Sequence, residues 1–204
     1  MRAIPIARGS LLLALAMAGT RAEAHSTFSA SGPFVGGVKH FFISLDDGLL
    51  ALAVGIVAGL GDAKFATRVI LLLPGSWLLA GGIGIVAKIP VPGSETISAF
   101  TLLLAGLWAA VNPRIPATAG LILCGGLGAL HGYGNGSALD FDSRWDAVNQ
   151  LLGICVSCLL VAFYPSALLE LSKQAWPRLV ARVLGSWIAA TGLLLLGWSL
   201  RMKR

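Results

Sequence analysis

Uncharged apolar runs, separated by short charged or proline-bearing breaks, constrain the fold of this chain more than any other feature. Of its 204 residues, 56% are apolar and only 12% are charged, and the mean hydropathy is +0.84. These values lie outside the range of ordinary soluble domains. Inside a bilayer, backbone polar groups must find partners within the protein, so successive apolar runs fold as α-helices. The sequence therefore predicts an all-α, polytopic membrane helical bundle.

About six transmembrane helices are predicted, each with boundaries good to a few residues. They are Asp47–Gly61, Ala66–Ala87, Ile97–Val111, Ala117–His131, Ala147–Tyr164 and Arg182–Leu200. Several are shorter than the roughly 20 residues that a straight span needs, so we expect their ends to extend into flanking polar residues or the bilayer to thin locally. Glycine clusters such as Gly81-Gly82 and Gly125-Gly126 predict close approach between helices.

The N-terminus has the pattern of a secretory signal peptide. Two arginines precede the apolar run Leu11–Ala18, and a small-x-small cleavage motif ends at Ala24. This predicts a cleavable signal peptide at residues 1–24 and a single transmembrane helical domain at residues 25–204. Cleavage would make His25 the first mature residue. Its imidazole and α-amino group would then either offer a pair of nitrogen ligands or belong to an ordinary frayed terminus.

Loop charges predict the orientation. With the mature N-terminus external, the cytoplasmic loops hold six basic residues and the external segments three, which fits the positive-inside rule. The internal set is Lys64, Arg68, Arg114, Lys173, Arg178 and Arg182, and the external set is Lys39, Lys88 and Arg144. The basic C-terminal tail does not fit this count. We expect a bacterial inner-membrane protein with its mature N-terminus in the periplasm.

Polar residues concentrate at the predicted external ends of two spans. His40, Asp46 and Asp47 open the first span, and His131 and Asn135 end the fourth within a glycine-rich stretch. Acids at the mouth of a membrane helix are costly unless they cap it or serve a function. Imidazole and carboxylate groups are the ligands of divalent cations, so this clustering favours a cation site over simple helix capping. The glycine-rich stretch fits an ion-approach loop and a helix C-cap equally well.

A single site requires a particular local geometry. On one continuous helix, His40 and Asp47 would be separated by about 10 Å of rise, too far to bind one ion. The site therefore needs a break near Ser44 or a partner from another helix, for which His131 is the candidate. Asp140 and its neighbouring acids either cap the next helix or attract cations.

Composition excludes several other classes of function. Basic residues form no stripe that would bind nucleic acid, and there is no nucleotide-binding motif. We expect no organic cofactor and no enzymatic activity. The three cysteines lie in apolar runs, as small buried hydrophobic residues do.

Two motifs resemble those of the HupE/UreJ family of hydrogenase and urease accessory permeases. The family's first element is His-Pro-x-x-Gly-x-Asp-His, where His40 and Asp46 match and Asp47 replaces the second histidine. Its second element is His-Gly-x-Ala-His-Gly-x-Glu, aligned with residues 131–138. There His131 and two glycines match, Asn135 replaces a histidine, and the glutamate is absent unless Asp140 substitutes for it.

The resemblance implies a six-span permease or accessory protein that accepts a divalent transition metal from the external side. Nickel or cobalt is the family's implied ion. Oxygen ligands in place of two imidazoles make manganese or iron a further possibility. The alternative is a non-transporting membrane partner that stabilises a metalloenzyme or membrane complex. The expected partners are the lipid bilayer, a divalent metal ion, and a membrane protein or a second copy of the chain.

Overall fold

The computed structural model describes residues 32–141, 143–172 and 174–202; the predicted signal peptide and His25 lie outside these ranges. The described residues form seven α-helices and no strand, so the predicted all-α class is confirmed. The helices are α1 (Gly32–Ile43), α2 (Leu45–Leu60), α3 (Ala63–Ala87), α4 (Ser94–Val111), α5 (Ala117–Ala138), α6 (Arg144–Leu171) and α7 (Trp176–Arg201).

Every predicted span coincides with one of the helices α2 to α7, most of which extend beyond the predicted ends. Among the described helices, α3, α4, α6 and α7 are long and apolar enough to cross a membrane, and α1 with α2 makes a fifth span if the bent pair is counted as one. Helix α5 falls below this threshold because glycine, histidine and asparagine lower the hydropathy of its C-terminal half. The described helices therefore provide four to five candidate spans, where the sequence predicted about six.

Helix α1 was not among the predicted helices. The structure has a helix that begins at Gly32 and meets α2 at an angle of 78°. Packing against α6 explains this helix. A Cβ atom on Gly37 would lie 1.9 Å from the backbone oxygen of Gln150, so the two backbones approach as closely as glycine permits.

Helix α2 lies at the centre of the described bundle, in contact with α1, α3, α4, α6 and α7. All its residues from 53 to 60 are buried. Its closest approach is to α6, where a Cβ atom on Gly55 would lie 2.3 Å from the backbone oxygen of Ala162. A central helix with a polar N-terminus brings that polar end inside the protein, because its neighbours surround it.

Helices α3 and α5 form the most extensive helix pair and hold His131 in position. Cβ atoms on Gly132 and Gly136 would lie 2.1 Å from the oxygen of Trp77 and 2.0 Å from the oxygen of Gly81. Glycine is therefore required at both motif positions by backbone contact between the helices. The sequence predicted an ion-approach loop or a helix C-cap for this stretch, but Gly132 and Gly136 lie within α5, which continues to Ala138, and serve helix packing. Close approach was predicted for Gly81, and it is found here.

Candidate metal centre

The two adjacent acids lie in the first turn of α2, directly after the break at Ser44. Ser44 has a non-helical ψ of 85°, and it separates His40, in the last turn of α1, from Asp46 and Asp47. The break that a single site required is therefore present. The positive end of the α2 dipole faces the two acids, which favours negative charge at this position.

Asp47 and His131 form the buried centre of the site. Nδ1 of His131 lies 2.8 Å from Oδ1 of Asp47, although the residues are 84 positions apart in sequence. Asp47 is 4% exposed and His131 is 7% exposed. The indole ring of Trp77 packs on His131, with ring centroids 5.5 Å apart, so one face of the imidazole is covered.

Asn135 connects this centre to His40. Its Nδ2 donates to Oδ2 of Asp47 at 2.9 Å and to the backbone oxygen of His131 at 3.1 Å. Its Oδ1 lies 3.0 Å from Nε2 of His40, which donates to it. Asn135 and Asp47 each stand where a family motif has histidine, and they are thus in direct contact with each other.

Helix α4 contributes two residues that the sequence analysis missed. The hydroxyl of Ser98 donates to Oδ2 of Asp46 at 2.5 Å, and Oγ1 of Thr101 lies 2.8 Å from Nε2 of His131. With Glu95 they form a polar series at intervals of three residues within an apolar helix. That spacing puts them on one helix face and was the signal available in the sequence.

An open cavity of about 360 Å³ lies beside the site at one end of the bundle, and Thr101 is not part of its lining. His40, Asp46, Asp47, His131 and Asn135 all border it, together with Ser44, Glu95 and Ser98. The cavity gives water and ions a route to the acids from outside. Its buried part is formed by Asp47 and His131.

Three of the predicted ligands are close enough together to hold one metal ion. Asp46, Asp47 and His131 each offer a ligand atom, and these atoms lie within 4.8 Å of one another. His40 and Asn135 lie next to this group and are hydrogen-bonded to each other. Two carboxylates and an imidazole at the end of a cavity constitute a candidate site for a divalent cation.

The secondary candidates do not join this group within the described residues. Asp140 is exposed beyond the end of α5 and is not among the residues that line the cavity. It therefore does not stand in for the missing family glutamate in this conformation. His25 lies outside the described ranges and remains a prediction. The three cysteines are buried and unpaired, as expected of small core residues.

The fold and the site define a class of protein: a polytopic helical membrane protein with a buried carboxylate and imidazole cluster open to one end of the bundle. The chain belongs to the HupE/UreJ family, since the family model described as HupE / UreJ protein matches residues 12–195. It is also 27% identical over 178 residues to Protein HupE of Rhizobium leguminosarum bv. viciae, covering 86% of this chain and 90% of that protein. No solved structure matches the chain.

Proposed function

We propose that this protein is a membrane permease or accessory protein that accepts a divalent transition-metal cation through Asp46, Asp47 and His131. The observation that carries the proposal is the convergence of three ligand atoms within 4.8 Å at the end of an open cavity. Two acids placed together and partly removed from water repel each other, and a dication offsets that cost. The ion is the cargo or ligand of the protein.

The ligand set suits a divalent metal ion of intermediate softness. Oxygen atoms from two carboxylates with one imidazole nitrogen suit ions from Mn²⁺ to Ni²⁺, and thiolate-preferring ions find no cysteine at the site. Nickel or cobalt is the ion that the family resemblance implies. His40 and Asn135 supply further nitrogen and oxygen atoms if their mutual hydrogen bond opens.

We further propose that the cavity faces the periplasm and that the protein lies in the bacterial inner membrane. The basic residues Lys64, Arg68 and Arg114 lie in segments at the opposite end of α2 from Asp46, as the positive-inside rule requires for that orientation. The proposal includes no enzymatic activity, organic cofactor or nucleic-acid partner. A membrane-protein partner or a second copy of the chain is compatible with it.

A second candidate function is that of a non-transporting partner, and the burial of α2 favours it. Beyond Asp47, the buried positions of this helix carry only apolar residues and glycine. A second cavity of about 400 Å³, lined by Asp62, Asn112 and Arg114, lies at the far end of the same helix. Transport would require a route to open between the two cavities, whereas binding alone requires none.

The test is metal binding and uptake by the full chain and matched variants. Titration of the detergent-purified protein with Ni²⁺, Co²⁺ and Mn²⁺ should show one saturable site. Asp47→Asn and His131→Ala should each lower the affinity about tenfold or more, the usual effect of losing a group from a metal site. Asp140→Asn is the control, because it also removes an acid but outside the cavity lining.

Uptake into cells or proteoliposomes separates the two candidates. Metal uptake that disappears in His131→Ala supports a permease. Saturable binding without uptake supports the non-transporting partner. If wild type binds none of the three ions above background, the cation proposal is wrong.

A further inference from the structure

Both ring nitrogens of the buried His131 have a partner. Nδ1 lies 2.8 Å from Oδ1 of Asp47, and Nε2 lies 2.8 Å from Oγ1 of Thr101. A neutral imidazole has one N–H donor and one nitrogen lone pair, and only the lone pair binds a metal. The position of the hydrogen therefore decides which side of the ring an ion can occupy.

The hydroxyl of Thr101 provides an acceptor for a hydrogen on Nε2. It donates its single hydrogen to the backbone oxygen of Ser98, one turn earlier in α4, at 2.8 Å. With its hydrogen there, the oxygen of Thr101 faces His131 and can accept the N–H of Nε2. Nδ1 faces the carboxylate of Asp47, which only accepts, so the 2.8 Å contact holds a hydrogen between the two atoms. An ion bound to both atoms displaces that hydrogen, and the ring's one N–H is then on Nε2, where Thr101 accepts it. Histidine ligands in metal sites commonly donate their other N–H to an oxygen in this way.

The spacing of Nδ1 and Oδ1 suits two neighbouring ligands of one ion. Two ligand atoms bonded at about 2.1 Å lie about 3.0 Å apart at a right angle and about 3.4 Å apart at the tetrahedral angle. The observed 2.8 Å is a hydrogen-bond distance, and a small shift of the two side chains brings the atoms to either spacing. Ser98 donates to Oδ2 of Asp46, so Oδ1 of that carboxylate takes no part in this hydrogen bond.

We propose that Thr101 is a positioning residue, which accepts the Nε2–H of His131 when Nδ1 and Asp47 together bind a divalent ion. The inference rests on the proposed cation-binding function and adds to it the coordinating nitrogen and an orienting role for α4. Thr101 does not touch the ion itself. Its side chain is 30 residues from His131 in sequence and lies outside both family motifs.

Zn²⁺ is the probe for the experiment because it is diamagnetic. Carbon-13 NMR of histidine-labelled full chain distinguishes Nδ1 from Nε2 coordination, and the His131 signal is assigned by its loss in His131→Gln. Wild type should show Nδ1 coordination. Thr101→Val keeps the side-chain shape without the hydroxyl and should weaken Zn²⁺ binding about tenfold to a hundredfold, whereas Thr101→Ser should recover most of it.

Thr191→Val is the matched control, since the hydroxyl of Thr191 bonds only to its own helix, at the oxygen of Trp187. It should bind Zn²⁺ as wild type does. Nε2 coordination in wild type, or unchanged affinity in Thr101→Val, would overturn the role of Thr101 and leave the cation site standing. Failure of wild type to bind Zn²⁺ counts against the proposed function instead. If Thr101→Val does not fold, the coordinating nitrogen in wild type decides the matter.

Discussion

At the scale of single residues, the site depends on two replacements within the family motifs. Asp47 and Asn135 stand where the motifs have histidine, and here they contact each other through Nδ2 and Oδ2 at 2.9 Å. The replacements are thus a matched pair: a carboxylate accepts and an amide donates. A single change at either position removes this bond, although Asp47 keeps its contact with His131 and Asn135 keeps its contact with His40.

Asn135→His tests how this pair sets metal preference. An imidazole at position 135 replaces an amide beside Asp47 and adds a nitrogen ligand to a cluster that has one histidine among its three ligands. We expect the affinity ratio of Ni²⁺ to Mn²⁺ to rise about tenfold, because nitrogen ligands favour the later metal. Competition titrations measure the ratio.

Asn149→His is the control for that variant. The amide of Asn149 donates only to the backbone oxygen of Trp145 in its own helix, away from the cavity lining. An equal shift in both variants would mean that any added histidine changes the preference, and the assignment of Asn135 to the site would fail.

At the scale of helices, the site is the meeting point of four elements. The end of α1 and the start of α2 supply His40 and the two acids, α4 supplies the hydroxyls, and α5 supplies His131. The contact of α5 with α3 fixes the depth of His131, because Gly132 and Gly136 touch the backbone of α3. Helix packing and site geometry are therefore coupled.

Gly136→Ala should separate α3 from α5. The added Cβ would lie 2.0 Å from the oxygen of Gly81, which is backbone and cannot turn away. We expect a loss of about 1–3 kcal/mol in the free energy of unfolding, the usual cost of overpacking. Denaturation of the detergent-purified protein measures it.

Gly126→Ala is the matched control on the same helix. Nothing lies within 4 Å of a Cβ at this exposed position, so the substitution should raise stability by about 0.5–1 kcal/mol through helix propensity. Equal effects of the two substitutions would contradict the assigned contact between α3 and α5.

At the scale of the whole molecule, α2 lies between two cavities whose polar linings differ. Acids and histidines line the cavity at its N-terminal end, and Arg114 with Asp62 lines the one at its C-terminal end. Arg114 is one of the basic residues whose positions predict that the C-terminal end of α2 faces the cytoplasm.

Cysteine labelling with a membrane-impermeant reagent tests this orientation. Arg114→Cys should react only from the cytoplasmic side, and Asp140→Cys only from the periplasmic side. Both positions are exposed, whereas the three native cysteines are buried and should contribute little background. Labelling of position 114 from the periplasm would reverse the topology and with it the proposed external cavity.

The sequence by itself determined the class of fold and the end of the bundle where the polar residues lie. Hydropathy is a local property, and backbone groups in a bilayer must bond within their own helix, so apolar runs alone specify helices α2 to α7. The motif residues His40, Asp46 and His131 could also be recognised from local sequence, since each is a polar residue in an apolar context.

Only the tertiary structure decided which of those residues meet. Helix α1 was not predicted from the sequence because its glycines lower the local helix propensity. Packing of α1 on α6 compensates for that low propensity. The bond between Asp47 and His131 joins residues 84 positions apart, and Thr101 reaches His131 from a third helix. Such contacts depend on the angles and separations at which helices cross, which glycine-mediated backbone contact sets and no local pattern encodes.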